Sequence, residues 1–161
     1  LKDYKNSGYD RGHLAPAKSM SFNDITMSES FYMSNMSPQK PSFNRGVWKK
    51  LEEEVRSWIP LSDSLYVITG PVLKNPLERI GDNQVTVPRY YYKSILRFKN
   101  KELFGIGFLL KNEKSNKSIT SFTVSIDSIE KLTGLDFFHQ LDLTIQNQVE
   151  SNSNVELFLQ K

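Results

Sequence analysis

The apolar pattern of this chain changes period at Pro60, and that change limits the folds open to it. Before it, Val47, Leu51, Val55 and Ile59 recur every four positions and draw one apolar stripe along a helix over 44–59. Lys49, Lys50, Glu53 and Arg56 fall on the other faces, and Pro60 ends the helix. After it, short runs of branched and aromatic residues read as strands over 65–69, 85–87, 90–98 and 104–110. Lys99-Asn100-Lys101 between the last two predicts a hairpin turn. Residues 126–133 read as a second helix, with Ser125 or Asp127 as its cap and Gly134 as its stop. With no internal repeat and no second composition regime, the expectation is one α+β domain over residues 1–161.

The flanks are less regular. Residues 1–26 are rich in turn formers and read as loop, and a short helix is predicted over 28–32 with Ser28 as cap. Residues 35–43 read as irregular because Pro38 and Pro41 interrupt them, and the tail after Leu141 is polar and weakly patterned.

Composition enters mainly by exclusion. The chain has no cysteine, which removes thiol catalysis, disulfides and cysteine-ligated zinc. No apolar run approaches the ~20 residues of a membrane span. A net charge of +3, from 21 basic and 18 acidic residues, is compatible with a nucleic-acid partner but does not demand one. The phosphate-cradling G-x-x-x-x-G-K, the G-x-S-x-G elbow and H-E-x-x-H are all missing. The chain opens at Leu1 without a signal-like segment, which reads as a processed form or a fragment.

Only two histidines offer a base of near-neutral pKa. His139 follows Phe137-Phe138 and reads as structural, a packing residue or a satisfied polar group. His13 sits in the polar run Asp10-Arg11-Gly12-His13, which is either a surface turn that contains a His or a place where a neutral imidazole takes a proton from water. Asp10 and Arg11 can orient it or hold an anion, and Arg suits a phosphate. A second cluster, Ser34-Asn35-Met36-Ser37-Pro38-Gln39, supplies amides that can fix a histidine, ligate a hard cation, or simply make a turn.

A third cluster, Asn44-Arg45-Gly46-Val47-Trp48, opens the predicted helix and runs on to Glu52. Asn44 is either the helix N-cap or an oxygen ligand for Mg²⁺. Glu52, eight residues on, lies about 80° round the helix and ~12 Å along it, too far to share a first shell easily. It would act through a water, which suits Mg²⁺. Arg56 either pairs with Glu52 at i,i+4 or reaches a phosphate, and taken alone each of the two reads as a solvated helix face.

Together the three clusters resemble the DNA/RNA non-specific endonuclease family, which includes secreted bacterial nucleases and mitochondrial endonuclease G. The resemblance continues through 65–72, Val87-Pro88 with Tyr91-Tyr92-Lys93, and 125–138, so it covers residues 8–140. It implies an α+β fold of the ββα-metal (His-Me finger) type, a mixed or antiparallel sheet with helices. It implies a Mg²⁺-dependent hydrolase (Mn²⁺ the alternative ion) that cuts DNA and RNA to 5′-phosphate and 3′-hydroxyl ends. On matching positions, His13 would be the general base, Asn44 the direct metal ligand and Glu52 a ligand through water. Arg11 and Arg56 would steady the phosphate, Asp10 would brace the loop, and Asn35 and Gln39 would be supporting amides. The resemblance also implies dimers as a common state, no membrane, and export as in the secreted members. Members carry strands before the Asp-Arg-Gly-His motif, whereas nine residues precede it here. The expectation is therefore a domain lacking its N-terminal strands, the C-terminal larger part of the full one.

Two rivals stand beside this reading. A two-histidine ββα-metal nuclease would need a further His near Asn44, and none is there. A nucleic-acid-binding module of the same descent, without catalysis, is the non-enzymatic alternative; retention of His13, Asn44 and Glu52 argues against it.

Overall fold

The first strand falls where the sequence predicts loop. In this computed structural model, which describes residues 2–74 and 77–159, β1 (Asp10–His13) pairs antiparallel with β2 (Met36–Gln39). Neither strand shows an apolar alternation, and Pro38 lies inside β2, so local patterning hides both. Tertiary contacts hold β2 instead. Tyr91 donates from its hydroxyl to the Pro38 carbonyl at 2.8 Å and shares a 2.7 Å bond with Ser37. Asn112 donates to the same carbonyl at 3.1 Å and accepts from the Lys40 N–H at 2.8 Å.

Between the two strands lies α1 (Asp24–Glu29). Its cap is Asn23, whose side chain accepts from the Thr26 N–H at 2.9 Å, so the helix sits four residues earlier than the 28–32 prediction, and Ser28 is inside it. A cap upstream of Ser28 won because Asn and Ser cap about equally well and nothing in the short run fixes its phase.

After β2 a π-helical turn, Phe43–Trp48, runs into α2, Lys49–Ser57, with Gly46 departing from helical backbone values inside the turn. The turn means that Asn44 is inside the helical segment, not capping it. Val47, Leu51 and Val55 are buried as the stripe predicts. Ile59 is 55% exposed; Trp58, its neighbour, turns inward instead.

The main sheet is antiparallel throughout, in the order β3 (Ser64–Pro71), β6 (Tyr90–Lys99), β7 (Glu102–Lys111), β8 (Thr123–Val124). A small pair, β4 (Arg79–Ile80) and β5 (Val85–Thr86), lies apart. Asn100 and Lys101 both take positive φ, the two-residue turn that suits the strand twist, so the hairpin prediction holds.

Period-two alternation gives this sheet two buried faces. Tyr91, Ile95, Ile106, Phe108 and Leu110 pack on Phe43, Trp48, Leu51 and Val55. On the other face Tyr92 packs with Ile126, Ile129 and Phe137 around α3 (Ile126–Thr133). Ser125 caps α3 and Gly134, with φ +76°, ends it, as the sequence predicts. The polar tail is not loop: it forms α4 (Leu143–Glu150) and α5 (Val155–Phe158). Gly105 admits α4, because a Cβ there would overlap the Val149 backbone. Phe158 is buried against Trp58, closing one end of the α2 core. Single buried anchors like these leave no periodicity for sequence reasoning to find. No helix among the described residues is long and apolar enough to cross a membrane.

Candidate active site

The ββα unit of β1, β2 and the helical segment carries most of the chemistry picked out in the sequence. Gly12 makes the strand pair possible. A Cβ at Gly12 would run into the buried side chain of Gln39. Gln39 therefore packs under β1 with no hydrogen-bond partner for its amide among the described residues, and it does not line the cleft.

Asn35 fixes the backbone just beyond His13. Its Oδ1 accepts from the Ala15 N–H at 2.9 Å, and its Nδ2 donates to the carbonyls of Ala15 (2.9 Å) and Ser30 (2.8 Å). The Asn35 carbonyl also accepts from the Leu14 N–H at 3.0 Å. Its amide is spent on backbone, so it acts on His13 through the chain. The Phe31 ring meets the His13 imidazole edge-on, with centroids 4.8 Å apart.

Asp10 is the hub of the other side. Arg45 makes a two-point contact with it, Nε to Oδ2 at 2.8 Å and Nη2 to Oδ1 at 2.6 Å. Asn44 donates from Nδ2 to Oδ2 at 2.9 Å. Burial pushes the Asp10 carboxyl up, but the hydrogen bonds from Arg45 and Asn44 hold it below its ordinary value. The amide nitrogen of Asn44 is thereby committed, and its Oδ1 makes no hydrogen bond to the described protein.

His13, Asn44, Glu52 and Arg56 all line one cleft of about 630 Å³, with Lys18, Arg45 and Lys49 at its sides. Asp10 and Arg11 line an adjoining hollow that shares Asn44 with the cleft. His13 Nε2 is screened from solvent and has no hydrogen-bond partner among the described residues. Burial, then the nearby Arg11, lowers the His13 pKa, so the neutral imidazole prevails at neutral pH. Burial pushes the Glu52 carboxyl up, opposed by the positive charges of Lys93 and Arg56. Glu52 and Arg56 do not form the i,i+4 ion pair that their spacing allows, and Arg56 Nη1 is buried without a hydrogen-bond partner among the described residues. His139 is exposed and lies in a separate groove beside Tyr66 and Phe98, so the expectation that it packs is not met.

Sequence reasoning missed two residues here. Arg45 stood beside Asn44 without a role, and it is the partner of Asp10. Lys93 stood in a strand without a role, and it faces Glu52 from the sheet. A lone lysine in the apolar run 90–98, on the same face as Tyr91 and Ile95, was the available signal.

The sequence model for the DNA/RNA non-specific endonuclease family matches residues 1–144. The chain is 38% identical over 158 residues to Nuclease C1 of Cunninghamella echinulata var. echinulata, covering 89% of this chain and 62% of that one. It is 36% identical over 154 residues to mitochondrial endonuclease G of Caenorhabditis elegans, covering 87% and 50%. It superposes on a chain in the crystal structure of an EndoG/EndoGI complex with a TM-score of 0.84 at 35% identity, covering 88% and 63%. The chain thus spans about half the length of the curated relatives it matches.

Proposed function

The chain belongs to the DNA/RNA non-specific endonuclease family, and from that premise we propose that it hydrolyses phosphodiester bonds of DNA and RNA, leaving 5′-phosphate and 3′-hydroxyl ends. The observation that carries this is the meeting of His13, Asn44, Glu52 and Arg56, from two elements, in one cleft. Residues 1–161 act as one nuclease unit in this reading.

The donor set fits a hard divalent cation. The Asn44 amide is turned by Asp10 so that its oxygen is the free end, and Glu52 adds a carboxylate within the same cleft. Asn44 would hold Mg²⁺ directly and Glu52 through water, with Mn²⁺ the natural substitute. When bound, such an ion supplies positive charge to the phosphate and the departing oxygen.

The remaining steps belong to the chain's own groups. His13, kept neutral by burial and Arg11, accepts a proton from the attacking water. The P–O bond to the 3′ oxygen breaks as the new P–O bond forms, and the departing oxygen takes a proton from solvent water to leave as the 3′-hydroxyl. Arg56 in the cleft and Arg11 in the adjoining hollow steady the charge that grows on the phosphate oxygens. Water, not the ribose 2′-OH, is the nucleophile, so DNA and RNA both serve. Contacts to phosphate through Arg and Lys carry little sequence information.

The test is digestion of supercoiled plasmid and single-stranded RNA with Mg²⁺, with EDTA, and with His13→Ala beside the wild type. Metal-dependent degradation of both polymers, lost in the variant, is the expected result. Salt-sensitive binding without cleavage by the folded protein would reject the enzyme in favour of a binding module.

A further inference from the structure

Lys93 is out of place by the ordinary rules of a core. It lies in the middle of β6, its side chain points to the α2 face, and it is 1% exposed. Its neighbours on that face are the apolar and aromatic residues Trp48, Leu51, Tyr91 and Ile95. An ammonium there loses its hydration, and an apolar side chain of similar length would pack at least as well.

Its surroundings say what it is for. Nζ donates to the hydroxyl of Thr69, directly opposite in the β3–β6 register, at 2.9 Å. It also lies over the Trp48 ring, 4.7 Å from the centroid. These contacts fix the charge in space without neutralising it, and no carboxylate is in ion-pair contact with it among the described residues. The carboxylate whose field reaches it is Glu52. Lys93, Glu52 and Arg56 line a common cavity of about 520 Å³ behind the cleft, and Glu52 and Arg56 also line the cleft itself. Glu52 and Arg56 thus reach both spaces, while Lys93 lines only the one it shares with them.

We infer that Lys93 is a positioning residue for Glu52: anchored by Thr69 and Trp48 on the wall of the cavity they share, its ammonium holds the Glu52 carboxylate in place at the cleft while substrate occupies Arg56. This rests on the nuclease reading for the role of Glu52, and its test separates the two.

The first measurement needs no activity. Urea unfolding midpoints are compared for wild type, Lys93→Met, Glu52→Gln and the double variant. Lys93→Met is expected to lower the midpoint in the wild type and to leave it unchanged or raised in Glu52→Gln, where no carboxylate needs the charge. An equal shift in both backgrounds overturns the inference. The second measurement is plasmid cleavage. Lys93→Met should lower kcat about ten- to a hundred-fold with KM for DNA unchanged, and add nothing to Glu52→Gln. Lys93→Arg, which keeps the charge, should recover part of the rate. An unchanged kcat in Lys93→Met, or a further loss on top of Glu52→Gln, overturns the inference. If Lys93→Met does not fold, Thr69→Val removes only the hydroxyl that anchors Nζ. It should lower kcat by a smaller factor that again vanishes in Glu52→Gln, and an undiminished effect there overturns the inference. A wild type that cleaves nothing rejects the nuclease reading, while the unfolding cycle still decides whether Lys93 serves Glu52.

Discussion

Asn44 donates its side-chain N–H to Asp10 at 2.9 Å, which makes the first residue of the Asp-Arg-Gly-His strand the orienter of the amide in the helical segment. A free amide can present either end to the cleft. Asp10, an acceptor only, selects the oxygen.

Asp10→Asn should therefore raise the Mg²⁺ concentration needed for half-maximal cleavage and lower the rate about ten- to a hundred-fold. A Mg²⁺ titration of plasmid cleavage checks this. Unchanged metal dependence would show that the amide needs no orienter.

The same carboxylate gives a pH signature. Its folded pKa lies below its ordinary value, so its contribution to stability is present above about pH 4, the unfolded carboxylate range. That contribution is lost as pH falls through the folded pKa. Thermal melts from pH 6 down to about pH 2 should show a steeper acid loss for wild type than for Asp10→Asn.

His13→Ala should reduce cleavage about a hundred- to ten-thousand-fold while leaving DNA affinity nearly intact, because the imidazole acts on water. In the wild type the acid limb of kcat/KM should fall below the ordinary imidazole value of about 6.5, since burial and Arg11 lower the His13 pKa. An acid limb above that value, or a loss of binding equal to the loss of rate, would remove His13 from the role of base.

Gly12→Ala should destabilise the protein by about 1–3 kcal/mol, because its Cβ overlaps a buried Gln39 side chain. Shortening Gln39 to Ala makes room for that methyl group. The double variant should thus be less destabilised than the sum of the two singles, as read from urea unfolding.

Phe158→Ala should cost about 3–5 kcal/mol, as for a large aromatic removed from a packed core. Phe158 packs against Trp58 and lies fully buried, although it sits in a tail of weak pattern. Chemical denaturation measures it. A change under about 1 kcal/mol would show that the tail is dispensable to the α2 core.

Local pattern is enough for the elements that carry their own periodicity: the Val47, Leu51, Val55 stripe, the 90–110 hairpin, and the helix between Ser125 and Gly134. Each of these is set by residues close in the chain, so a short window reads it. The residues that meet in the cleft were also legible, because His13, Asn44 and Glu52 stand in motifs of ordered type and spacing. Packing settles the rest. β1 and β2 have no alternation, and β2 is held by Tyr91 and Asn112, far away in sequence. Whether Asn44 caps a helix or turns its oxygen to the cleft depends on Asp10, thirty-four residues before it. The charge facing Glu52 from behind comes from a strand whose local sequence gives no hint of that partner. Hydrogen-bond direction and the field at a buried carboxylate are set by groups brought together only when the sheet and helix pack, and no window along the chain contains them.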